Sequence, residues 1–162
     1  YRLIAKYDLV EVHPDGLVII RDWKTSLRVP DRQTLAKRLQ TRIYPYVLAQ
    51  AGAHFYNGEM IPVDRIKMVY WFVANDGQTV EFDYTAEQMK ADGAYISELI
   101  SDIAQANLFP LTSDTRKCKF CSYRSLCSRG EQVGQWSDFD QIDDDEMDSF
   151  DVDFDQIAEI EF

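Results

Sequence analysis

The sequence predicts an α/β domain, a mixed central β-sheet flanked by helices. Three observations carry this. Two segments read as β-hairpins, each followed by a stretch with helical periodicity, giving the order ββ-α-ββ-α. Hydrophobic residues make up 46% and aromatics 13%, enough to fill a sheet face and the helices packed on it. At 162 residues the length suits one domain with an appendage.

Arg2 to Val12 alternates and is rich in Leu, Ile and Val, so it reads as the first strand. His13-Pro14-Asp15-Gly16 is a turn: Pro presets φ, Asp bonds its own backbone, Gly accepts a positive φ. Leu17-Val18-Ile19-Ile20 then runs into Arg21-Asp22-Trp23-Lys24 as the second strand. Pro30-Asp31 opens a helical stretch to about Gln50, with Gly52 placed to end it. Leu35, Leu39, Ile43, Tyr46 and Val47 fall near one face, and Pro45 is expected to kink or split the helix. A second hairpin joins Ile66–Val73 to Thr79–Tyr84 through Asn75-Asp76-Gly77. Thr85-Ala86-Glu87-Gln88 has capping-box spacing and starts a helix towards Asn107, buried along Ile96, Leu99, Ile100 and Ile103.

These elements divide the chain into a core over 1–115, a cysteine-bearing segment over 116–130 and an acidic tail over 131–162. The net charge of −11 hides an asymmetry. Residues 137–162 hold twelve Asp or Glu and no Lys or Arg, leaving 16 acids against all 17 basic residues in the rest. The body is therefore close to neutral, and a polyanionic partner is compatible with it. The tail repeats Asp-Phe-Asp-Gln-Ile at 138–142 and 153–157, a pattern of a solvating tail or a protein-binding motif, or of an internal DNA mimic. No run is long and apolar enough to span a bilayer and no signal peptide opens the chain, so a cytoplasmic protein without membrane contact is expected. The chain opens at Tyr1 within an apparent strand, which suggests the C-terminal portion of something longer.

Asp8, Asp22 and Lys24 carry the chemistry. Asp22 and Lys24, two apart on a strand, project to one face. Pairing about the turn sets residues whose numbers sum to 29 or 30 opposite one another, which brings Asp8 to Asp22. A phosphodiester repels nucleophiles by its charge; divalent ions held by carboxylates neutralise that charge and orient water. Oxygen ligands suit Mg²⁺ or Mn²⁺. A neighbouring Lys helps orient the water and offsets charge growing on the phosphate.

Tyr7-Asp8-Leu9-Val10, Val18-Ile19-Ile20-Arg21-Asp22-Trp23-Lys24-Thr25 and Gln40-Thr41-Arg42-Ile43-Tyr44 together resemble the PD-(D/E)XK nucleases of RecB type. The resemblance implies a restriction-endonuclease-like core in which Asp8, Asp22 and the backbone carbonyl of Trp23 hold the metals. It makes Lys24 the catalytic lysine and has Gln40 and Tyr44 position the DNA strand or support the site. It also implies exonuclease action on single strands or duplex ends, in repair, recombination or phage and CRISPR DNA processing. Ala5-Lys6 stands where the family usually has Gly, and the family's further His or acid from an upstream helix has no counterpart here.

Cys118, Cys121 and Cys127 form C-x₂-C-x₅-C, three thiols that suit zinc or an iron–sulfur cluster once a fourth ligand is added. With Tyr123 between them, they resemble the C-terminal end of iron–sulfur RecB-type nucleases, such as the AddB helicase–nuclease subunit and CRISPR adaptation nucleases. That resemblance implies a [4Fe–4S] cluster in preference to Zn²⁺, with the fourth Cys upstream. Arg28, Arg32, Lys37, Arg38 and Arg42 crowd the stretch after Lys24, and Arg116, Lys117, Lys119, Arg124 and Arg129 surround the thiols. Both clusters are expected to neutralise phosphates. The competing readings are a non-catalytic nuclease fold that binds DNA or scaffolds around a structural metal, and an accessory protein whose tail recruits a partner.

Overall fold

A computed structural model describes residues 2–115, 118, 121 and 123–127. Strands β1 (Leu9–Val12) and β2 (Val18–Lys24) are joined by the expected turn, in which Gly16 has φ 86° and Leu17 N donates to Asp15 Oδ1 at 3.1 Å. They pair antiparallel, Leu9 opposite Arg21 and Val12 opposite Val18, so opposed residues sum to 30 as the turn requires. The first strand is shorter than its alternation suggests. β2 ends at Lys24, which the register sets opposite Lys6, so residues 2–5 have no β2 residue opposite them to complete a ladder.

The helical stretch breaks, but at Arg38 and not at Pro45. Helix α1 (Arg32–Lys37) ends and helix α2 (Leu39–Ala51) begins on either side of Arg38, whose ψ of 141° is extended. The carbonyl of Leu35, released by the break, accepts from Arg38 N at 3.2 Å and from Thr41 Oγ1 at 2.5 Å. Pro45 lies inside α2 and is fully buried; burial of its ring offsets the one bond its nitrogen cannot donate. The break also shifts the helical phase. The buried positions of α2 are Thr41, Pro45, Leu48 and Ala49, whereas Leu39 is 46% exposed and Ile43, Tyr46 and Val47 are half-buried.

Strand β3 (Ile66–Phe72) returns parallel to β2, and β4 (Gln78–Asp83) pairs antiparallel to β3. The sheet is thus mixed, in the order β1-β2-β3-β4. Asp76 and Gly77, at φ 51° and 73°, form the tight turn between β3 and β4, closed by Gln78 N donating to Asn75 O at 2.8 Å. Helix α3 (Ala86–Gln105) starts where the cap predicts, Thr85 Oγ1 accepting from Gln88 N at 3.1 Å. Its buried stripe stops early: Ile96 is buried, Leu99 and Ile100 are half-buried, and Ile103 is 53% exposed.

One face of the sheet carries the core, where Val18 and Ile20 of β2 and Ile66, Met68, Tyr70 and Phe72 of β3 meet Leu35 and Leu48. The chain divides after Phe109. In the second unit the described residues include the short helix α4 (Arg124–Cys127). The tail over 137–162 lies outside the described residues, as do Arg116, Lys117, Lys119 and Arg129. Among the described residues no helix is long and apolar enough to cross a membrane.

Between α2 and α3 lies a buried carboxylate that the helical pattern did not foretell. Asp92 is fully buried; its Oδ1 accepts from Gln88 Nε2 at 2.8 Å and stands 3.9 Å from Arg42, with Tyr84 beside it. Burial pushes its carboxyl above the ordinary carboxylate range, more than Gln88, Tyr84 and Arg42 together draw it down. The folded pKa thus exceeds the unfolded one, so this group's contribution is intact at low pH and is lost as pH rises through that interval. Asp92→Asn should therefore raise the melting temperature at pH 8 by roughly 2–4 °C, the effect of about 1 kcal/mol. The gain should vanish near pH 3; thermal unfolding at both pH values checks it.

Candidate functional site

Along β2 the core-facing residues are Val18, Ile20, Asp22 and Lys24, every second position. An apolar face therefore ends in a charged pair. Asp22 is 3% exposed, and Lys24 Nζ lies 3.1 Å from its Oδ2. From α2, Gln40 reaches both. Its Oε1 accepts from Lys24 Nζ at 2.9 Å, and its Nε2 donates to Asp22 Oδ1 at 2.8 Å and to Tyr44 Oη at 3.1 Å. Only one orientation of the amide satisfies both neighbours, since an ammonium only donates and a carboxylate only accepts.

Asp8 lies one residue before β1, in line with the register that opposes it to Asp22. Its Oδ2 accepts from Trp23 N at 2.9 Å, which ties the first acid to the residue between the second acid and the lysine. The Tyr44 hydroxyl is held above its ordinary pKa, first by burial and further by the charges of Asp22 and Asp8, against the Gln40 hydrogen bond and Lys24. Asp8, Asp22, Lys24, Gln40 and Tyr44 thus come together. Two further tyrosines join them that motif reading missed. Tyr70, paired with Asp22 across β2 and β3, is fully buried, and its Oη lies 2.7 Å from Thr41 Oγ1. Its ring stands 5.6 Å from Lys24 Nζ and 5.9 Å from the Arg38 guanidinium. Tyr7 donates to the carbonyl of Tyr44 at 3.0 Å. Parallel pairing would have singled out Tyr70, but a crossover register cannot be read from local sequence.

Two carboxylates beside a strand-end carbonyl are hard oxygen donors, and they fit an ion such as Mg²⁺ or Mn²⁺ that keeps several of its waters. The Trp23 side chain faces away, on the opposite side of the sheet, edge-on to Trp71 with centroids 6.4 Å apart. Among the described residues no group of three or more His, Cys, Asp or Glu stands together to hold a metal. None of Cys118, Cys121 and Cys127 forms a disulfide.

The five basic residues after Lys24 differ in their surroundings. Arg38 is buried against Tyr70. Arg32 donates to the Glu81 carbonyl and lies 4.4 Å from the Phe82 ring, and Arg42 lies 4.4 Å from the Tyr95 ring. Arg28 and Lys37 are exposed. The helix break at Arg38 and the approach of β4 and α3 give three of the five intramolecular partners.

A family model described as the PD-(D/E)XK nuclease superfamily matches residues 1–128. No curated protein and no solved structure matches the chain.

The buried pair makes a stability expectation independent of catalysis. Lys24→Met keeps the aliphatic stem and removes the cation that pairs with the buried Asp22 carboxylate. The cost should be about 3 kcal/mol at pH 7, read as a lower urea midpoint with an unchanged slope.

Proposed function

The chain belongs to the PD-(D/E)XK nuclease superfamily, and from that premise we propose that it is a Mg²⁺- or Mn²⁺-dependent DNA nuclease whose working residues are Asp8, Asp22 and Lys24. The observation that carries the reading is the Gln40 amide bridging Asp22 and Lys24, with Asp8 bonded to the backbone between them. A loose group of solvated charges at a strand end would have no need of such a buried clamp.

In this reading the carboxylates of Asp8 and Asp22, with the Trp23 carbonyl, hold the divalent ions. Bound ions supply neutralisation of the phosphate and a more acidic water. The oxygen of water forms a bond to phosphorus, the bond to the leaving sugar oxygen breaks, and that oxygen takes up a proton. Lys24, kept in place by Gln40, orients the water and offsets charge on the phosphate. Gln40 and Tyr44, one helical turn apart on α2, position the strand, and the exposed Arg28 and Lys37 add phosphate contacts.

RecB-type character, with exonuclease action on single strands or duplex ends, is supported by the Gln40–Tyr44 spacing and by the contact of Gln40 with both Asp22 and Lys24. A [4Fe–4S] cluster or zinc on Cys118, Cys121 and Cys127 is supported by the spacing of the thiols alone, and no step of the hydrolysis runs through it.

Two measurements test these statements. With Mn²⁺, the full chain should degrade linear single-stranded DNA and leave circular DNA intact, and Asp22→Ala should lower the rate by at least about 10²-fold. Equal rates for parent and variant would remove the assignment. Anaerobically purified protein should carry iron and sulfide; zinc in their place would select the other metal, and neither would remove the cluster.

A further inference from the structure

We propose that Tyr7 is a positioning residue for the metal-binding carboxylate of Asp8, acting through the backbone of Tyr44; the proposal rests on the nuclease reading of Asp8 and Asp22. The need for such a residue follows from the sheet. β1 begins at Leu9, so Asp8 lies outside the ladder that would otherwise dictate its place opposite Asp22. The chain before it, residues 2–7, is not strand. A carboxylate at the end of such a segment keeps its geometry only if side chains hold it.

Two contacts do so. Asp8 Oδ2 accepts from Trp23 N at 2.9 Å, occupying one oxygen and leaving Oδ1 to turn towards an ion. Tyr7, half-buried, donates its hydroxyl to the Tyr44 carbonyl at 3.0 Å, and its ring meets the Tyr44 ring edge-on with centroids 5.2 Å apart. The contacts close a ring: Tyr7 to Tyr44 on α2, Tyr44 to Gln40, Gln40 to Asp22 and Lys24 on β2, and Trp23 back to Asp8. Apart from Tyr7 and Asp8 themselves, the members of that ring lie on a regular strand or helix. The Tyr7 hydroxyl ties the irregular segment to α2 one residue before the carboxylate it must hold. A hydroxyl is required for this, whereas a phenyl or aliphatic side chain would supply only the packing.

Direct Mn²⁺ binding to the full chain, followed by calorimetry without DNA, tests the proposal. Tyr7→Phe keeps the ring and removes the donor, and it should weaken Mn²⁺ about tenfold, the effect of losing a residue that orients a metal ligand. Cleavage at saturating Mn²⁺ should return to the parent rate, because the ligands themselves are intact; a general loosening of the fold would lower both. Tyr44→Phe keeps the carbonyl that Tyr7 uses, so adding Tyr7→Phe to it should weaken Mn²⁺ by the same factor again. Asp22→Ala separates the two levels. If it abolishes binding while Tyr7→Phe binds as tightly as the parent, the positioning role is overturned and the metal site stands. If Asp22→Ala binds Mn²⁺ as tightly as the parent, the underlying site is overturned and Tyr7 has nothing to position.

Discussion

Val18 and Ile20 bury one face of β2 completely, and the next residue on that face is a carboxylate. Much of this end of the sheet answers the problem of burying the Asp22 carboxylate in an apolar setting. Taking a carboxylate out of water costs several kcal/mol, on the order of what a small domain has to spare. Lys24 supplies the opposite charge from the same strand face, and the Gln40 amide bonds both without bringing another charge. An amide is suited to the place because its two ends match the two partners. Replacing the pair with hydrocarbon would cost the fold little, so the pair is best understood as a site that the fold accommodates.

The helix break at Arg38 serves the same arrangement. Gln40 stands two residues after the break, and the extended Arg38 lets α2 begin in a phase that turns Gln40 towards β2 and Pro45 and Leu48 into the core. A continuous helix from Arg32 would carry a different set of side chains to the sheet. The Thr41 hydroxyl secures the break from below, bonding the released Leu35 carbonyl and meeting the Tyr70 hydroxyl. Tyr70 in turn lies beside Asp22 in the neighbouring strand. The core and the charged pair therefore share a wall.

The parallel pairing of β2 with β3 governs how the face is closed. With Asp22 opposite Tyr70 and Lys24 opposite Phe72, aromatic rings cover the inner flank of the pair and exclude water there. Opposite, across the hairpin, β1 is short and Asp8 stands just off its end. The charged pair thus has aromatic neighbours on one side and Asp8 on the other.

Much of this was written locally in the chain. The turn residues of both hairpins set their register, and that register opposes Asp8 to Asp22; the cap at Thr85 set the start of α3; the alternation of β2 put Asp22 and Lys24 on one face. These rest on contacts within a few residues or across a tight turn, where residue type decides geometry. The tertiary structure decided the rest. Alternation in residues 2–5 could not make a strand beyond the end of β2, Pro45 was absorbed because its ring found the core, and Arg38 broke the helix where propensity offered no sign. The basic residues read as one patch became separate contacts with Glu81, Phe82, Tyr70 and Tyr95, and Tyr70 and Tyr7 entered the site from elements distant in sequence. Such contacts depend on which surfaces meet across the crossover, and no local pattern encodes that.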